Sequence, residues 1–197
     1  MRVVVPGGYW LSAGLSIAER VRLMREQIEE RGWRLKVRPR GGLLGPDRSW
    51  VNPLTRTVWM RPTWTGETAQ DAAVLAHEIT HVEQIENDDR GKVPVLGPWW
   101  PGGPMLQRLW WTLRVIFDRA FVAATESEAE AHEHAVGIQH QWIPAARALG
   151  GRRLVVRDSD GRRRLNLHSW TPGDPEQIRI YRGLRSRDLR AYWQPAL

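Results

Sequence analysis

Ala72-Ala73-Val74-Leu75-Ala76-His77-Glu78-Ile79-Thr80-His81-Val82-Glu83-Gln84-Ile85 is the stretch around which the chain is organised. No proline or glycine occurs between Thr68 and Asn87, and Ala, Leu, Gln and Glu dominate, so the spacing predicts a helix. Residues four apart share a helix face, which lets His77 and His81 point both imidazoles at one metal ion. Glu78 then sits beside that ion without binding it, where a carboxylate can take a proton from water on the metal. His-Glu-x-x-His in a helix is the arrangement that metal-assisted hydrolysis requires.

Composition narrows the metal chemistry. The 197 residues include no cysteine, so no thiolate is available and there is no disulfide framework. A site must be built from His and carboxylates, which suits a catalytic Zn²⁺ better than a structural one. With 42% hydrophobic and 26% charged residues, the chain reads as a globular protein with a real core. Residues 1–146 carry equal numbers of basic and acidic side chains, so the whole net charge of +7 belongs to the tail. The N-terminus lacks the longer apolar run of a signal peptide, and a cytoplasmic location is the expectation. Arg108, Arg114, Asp118 and Arg119 interrupt the most apolar region, so no transmembrane span is expected.

Outward from the motif, Ser16 with Glu19 forms a capping box that opens a helix running to about Arg31, its buried stripe Ile17, Val21, Met24 and Ile28. Trp33 to Arg38 alternates like a half-buried strand, and residues 49–60 read as a hairpin feeding the motif helix. Met105 to about Trp142 reads as one long helix or two abutting ones. Residues 154–157 and 162–167 suggest a second hairpin, and Pro175 to Tyr192 a short helix. The fold class is α+β, with a body at 1–150 and a basic C-terminal segment at 151–197.

A catalytic zinc normally takes a third protein ligand. At 100° per residue, Phe117, Phe121, Ala124, Glu128, Ala131, Ala135 and Trp142 share one apolar face, with Glu126, Glu130 and Glu133 on the opposite, solvated one. Glu128 is thus a carboxylate inside an apolar stripe, and a metal would be its strongest partner. A buried ion pair with arginine is the plainer alternative. Glu126 is the fallback ligand should the phase differ. His132 reads as a second-shell group, a proton donor or a core histidine, and His132 and Tyr181 are the only guesses for an oxyanion partner.

His77-Glu78-Ile79-Thr80-His81 followed by Glu128-Ala129-Glu130-Ala131-His132 resembles the gluzincin zinc metallopeptidases. Their signature is His-Glu-x-x-His with a later glutamate ligand, often in Glu-x-x-Ala-Asp. The size and element order are most similar to the minimal gluzincins, over about Leu15 to Trp142. The resemblance implies a zincin-like fold, with a small sheet whose edge strand beside the cleft can hold an extended peptide. It implies zinc-dependent hydrolysis of a peptide or protein substrate, with His77, His81 and Glu128 on Zn²⁺ and Glu78 as general base. It also implies possible latency through a terminal segment over the cleft.

The tail carries Tyr181, Tyr192, Trp170 and Trp193 among arginines, so the rival reading is a nucleic-acid- or partner-binding protein with a vestigial or structural metal site. Too few apolar residues occur after Gly150 for the segment to fold alone, and it is expected to dock on the acidic ends of the motif and glutamate helices, near the cleft. A membrane-associated form using Trp110-Trp111 is weaker, both tryptophans being better explained as core.

Overall fold

The computed structural model describes residues 9–39, 48–87, 103–142, 152–158, 164–167, 174–182 and 189–195. After a 3-10 turn at Tyr9–Leu11, α1 spans Ile17–Glu30, with Ser16 and Glu19 forming the expected capping box. The strands β1 (Arg34–Val37), β2 (Trp50–Asn52) and β3 (Thr57–Met60) make one sheet in the order β1-β3-β2. β1 runs parallel to β3 and β2 antiparallel to it. The strand leading into the motif helix is therefore central, not an edge, because β1 occupies its other side. Its main chain is already paired on both sides, and only β1 and β2 retain a free edge within this sheet.

The motif helix α2 spans Ala69–Asn87. Thr68 caps its first turn by accepting the Asp71 N–H, and Asp71 in turn accepts from Thr65, Gly66 and Arg61. Gly66 has φ +80, and a Cβ there would meet Trp64 at 3.1 Å, so this turn into the helix requires glycine. Ala72, Ala73, Leu75, Ala76, Ile79, Val82 and Ile85 are all buried. A helix buried nearly all round, with Asp71, Glu78, His81, Glu83 and Gln84 among its buried residues, is a central one, and α2 packs against α1, α4 and the sheet.

The long helical region is two helices. α3 spans Gly103–Phe117 and α4 spans Arg119–Gln139. Asp118 breaks them apart: its backbone is extended, and its Oδ1 accepts the Phe121 N–H at 2.9 Å as an N-cap. The two expected tryptophans of α3 divide, with Trp111 buried and Trp110 39% exposed.

In the tail, β4 (Arg152–Arg157) lies between β5 (Arg164–Asn166) and β6 (Arg190–Pro195), antiparallel to both. The hairpin of β4 and β5 is as expected, but α5 ends early, at Pro175–Arg182, and the chain closes with a strand. Ala191 and Trp193 of β6 face the same side as Leu154 and Val156 of β4, a two-residue alternation that strands satisfy. Leu154, Val156, Leu165, Leu167, Leu189 and Ala191 join the same buried cluster as α1 and α2. The expected division at residue 150 falls outside the described residues, as do Trp99, Trp100, His168 and Trp170.

The acid surface expected at the end of α2 is partly internal. Glu83 is buried and takes hydrogen bonds from Gln27 at 2.7 Å and from Arg190 of β6. Burial alone would raise its pKa, but Arg190 and Arg31 outweigh that and hold it below the usual carboxylate range. The sequence shows the alternation of charge but not this inward turn, because a helix buried on every side has no solvent face to reserve for acids.

Candidate metal centre

His77 and His81 stand one turn apart on α2 with their Nε2 atoms 3.2 Å from each other. Glu126 of α4 completes a group of three: Oε2 is 3.3 Å from His77 Nε2 and Oε1 is 3.4 Å from His81 Nε2. Ligands about 2.0–2.1 Å from a tetrahedral zinc lie about 3.3–3.4 Å from one another. A charge-assisted N–H···O bond would instead draw the atoms to about 2.7–2.9 Å. The separations are long for hydrogen bonds and run to both oxygens of Glu126, so the three side chains lie close enough to share one cation or one proton.

The outer nitrogens are tied back. His77 Nδ1 lies 3.0 Å from Glu133 Oε2, and a carboxylate only accepts, so Nδ1 carries the hydrogen. His81 Nδ1 donates to Gln84 Oε1 at 2.9 Å. The Gln84 amide is fixed in that sense because its Nε2 donates to the Thr125 carbonyl and to Glu128 Oε2, both at 3.0 Å. In their neutral forms both imidazoles therefore aim Nε2 lone pairs at the same space. Such partners set the tautomer and orientation of metal-ligating histidines.

Burial opposes protonation of His77, but Glu126 and Glu133 prevail and lift it to about 10. Glu126 is correspondingly held far below the usual carboxylate range by hydrogen bonding to His77 and His81. Glu78 is 5% exposed and its Oε2 has no hydrogen-bond partner among the described residues. Burial pushes it up to about 7, against the pull of His81 and His77. Glu126 is 47% exposed, so the group opens to solvent on the α4 side.

Glu128, the carboxylate expected on the metal, is not in this group. It holds the Gln84 amide, two links back from the imidazole, and its side lines a groove of about 300 Å³ with Ser127, Ala131, Tyr192 and Trp193. The buried face of α4 keeps Phe121, Ala131 and Ala135 of the expected set and adds Thr125, Ala129, His132 and Val136, and Glu128 is half-buried. Glu126 and Glu133, expected in solvent, lie on the flank that meets His77. Two sequence signals pointed there: Asp118 as a cap, and Glu126-Ser127-Glu128-Ala129-Glu130, which reads Glu-x-x-Ala-acid from Glu126.

His132 is wholly buried and is a core histidine. Its Nδ1–H donates to the Glu128 carbonyl at 2.9 Å and its Nε2 accepts the Ala191 N–H at 3.3 Å, joining α4 to β6. His134 donates to the Glu130 carbonyl and His140 accepts from Arg20. The Tyr181 side chain lies outside the described residues. The tail meets α4 at Glu128, His132 and His134, the last through the Trp193 ring.

No family model, no curated protein and no solved structure matches the chain.

Proposed function

We propose that this chain is a zinc-dependent peptidase of gluzincin type with a zincin-like body, and that His77, His81 and Glu126 hold the metal. One observation carries the reading: two imidazole nitrogens 3.2 Å apart each lie 3.3–3.4 Å from an oxygen of the same carboxylate, each imidazole held from behind, beside a buried carboxylate with an unsatisfied oxygen. Read from Glu126, the motif keeps an acid, Glu130, at its fifth position, nearer the gluzincin pattern than His132 is. When bound, Zn²⁺ would supply a Lewis acid and lower the pKa of its water. Glu78, poised near neutrality, would be the residue to hold a proton at its buried carboxylate and hand it on. Glu133 and Gln84 keep both Nε2 atoms aimed inward, and Glu126 leaves one side open for an incoming chain.

Elemental analysis of the purified protein tests the ligand set. His77→Ala, His81→Ala and Glu126→Ala each lose most bound metal, while Glu128→Ala keeps it with affinity lowered by about 10–100-fold, as expected for an outer partner. Loss of metal in Glu128→Ala with retention in Glu126→Ala would overturn the assignment. Glu78→Gln keeps the metal and loses hydrolysis of peptides, and activity surviving in it would remove the mechanism. Metal uptake releases a proton from His77, so affinity rises with pH and falls on acidification. Calorimetry in buffers of different ionisation enthalpy reads that proton directly.

A further inference from the structure

The three-residue cluster is held from behind by a strut between two helices. Gln84 of α2 reaches from His81 to Glu128 and the Thr125 carbonyl of α4, so the direction of the imidazole depends on the spacing of those helices. An acid stands on each side of the strut. Glu83 precedes Gln84 on α2 and is 3% exposed, and Glu128 is half-buried on α4. Gln27 and Arg31 meet Glu83 from the α1 side, at 2.7 Å and 3.7 Å. Those contacts tie α2 to α1 and do not set its distance from α4.

Arg190, the first residue of β6, brings a cation to that seam from the tail. Its guanidinium donates to the Glu83 carboxylate, and Ala191 beside it donates its N–H to His132, one turn along α4 from Glu128. Ala191 and Glu128 also line the same groove. The head of β6 therefore sits against α2 with one residue and against α4 with the next. Burial opposes the charge on Arg190, but Glu83 and Glu128 outweigh it and hold the guanidinium above its ordinary range. One cation thus answers an acid on each helix. Charge-assisted bonds are shorter and stronger than neutral ones, so a link of this kind holds a spacing closely.

We propose that Arg190 is a positioning residue for the metal centre: it links Glu83 of α2 to Glu128 of α4 and so keeps Gln84 drawn between His81 and α4. Without that link the seam relaxes, and Gln84 no longer holds the His81 ring and the Glu128 carboxylate at once. His81 Nε2 then loses its fixed aim at the cluster. The inference rests on the reading of His81 as a metal ligand. It gives the basic tail a part in the site itself, where its charge alone suggested a nucleic acid.

Zinc(II) and cobalt(II) titrations of the full chain test it, with affinity read by chelator competition and ligand geometry by the visible cobalt spectrum. Arg190→Met with Glu83→Gln leaves no buried carboxylate short of its cation, so the fold is kept. The net charge is also unchanged, so a loss of metal is not an effect of the overall field. The pair is expected to lower metal affinity about ten-fold, the scale of a lost outer partner, and to shift the cobalt bands with the melting temperature nearly unmoved. Arg190→Lys keeps the charge and recovers most of the affinity. Should the pair not fold, Glu83→Gln alone is read in its place: it frees Arg190 from α2, and the same loss is expected. A folded variant that binds metal as tightly as the parent, with the parent's cobalt spectrum, overturns the proposal and leaves the ligands standing. A parent that takes up neither metal overturns both.

Discussion

At the scale of single residues, Gln84 is the side chain on which the site's geometry turns. Its amide faces three ways, to His81, to the Thr125 carbonyl and to Glu128, so it couples the imidazole to α4. Gln84→Leu would leave His81 without an acceptor for Nδ1–H and Glu128 without its amide donor. The expected outcome is a 10–100-fold loss of metal affinity with little change in the fold, because leucine fills a similar volume. Competition with a chromogenic chelator measures the affinity, and unchanged affinity would show that His81 is oriented by packing alone. His77, Glu78 and His81 were legible because their spacing is their chemistry: i, i+1 and i+4 have one arrangement in a helix. Gln84 and Glu133 were not. Nothing local distinguishes a glutamine or glutamate that faces an imidazole from one that faces water, since that depends on which helix packs where.

At the scale of elements, the break between α3 and α4 falls at Asp118. Asp118 serves the start of α4 through Oδ1 and pairs with Arg114 of α3 through Oδ2. The pairing is partly exposed and so partly screened by water, and the cap is the larger contribution. Asp118→Ala is expected to lower the melting temperature by a few degrees, while Asp118→Asn, which keeps the cap acceptor, restores most of it. Equal losses in the two variants would assign the effect to the ion pair. The capping box at Ser16 was readable because both partners lie within one turn, and the same short-range logic applies to Asp118, which accepts the Phe121 N–H. The register β1-β3-β2 was less accessible. The hairpin is local, but β1 pairs with β3 from outside it, and a parallel partner leaves no mark in either strand's alternation.

At the scale of the whole molecule, the basic tail is held by burial more than by charge. The contact expected from composition does exist: Arg190 of β6 reaches Glu83 of α2, and acid should weaken it. Because the folded Glu83 titrates below its unfolded value, its stabilisation is present at neutral pH and is lost as pH falls below about 4.5 and through the folded pKa. Yet Glu83 is one group, whereas Leu154, Val156, Leu165, Leu167 and Leu189 are all at or near full burial in a core continuous with α1 and α2. Each such side chain contributes about 1.5–3 kcal/mol, so together they are of the same order as the ~5–15 kcal/mol that stabilises a whole domain. Removing residues 151–197 also takes away the Ala191 N–H that His132 accepts, leaving a buried polar atom unpaired inside α4. The tail therefore behaves as part of the body and not as a detachable cover. A chain ending at Gly150 is expected to be insoluble or to lack a cooperative unfolding transition, with circular dichroism and urea titration as the measurements. A soluble 1–150 fragment that unfolds cooperatively and binds metal would reverse this, and faster peptide hydrolysis by that fragment would restore the tail as a barrier to the cluster.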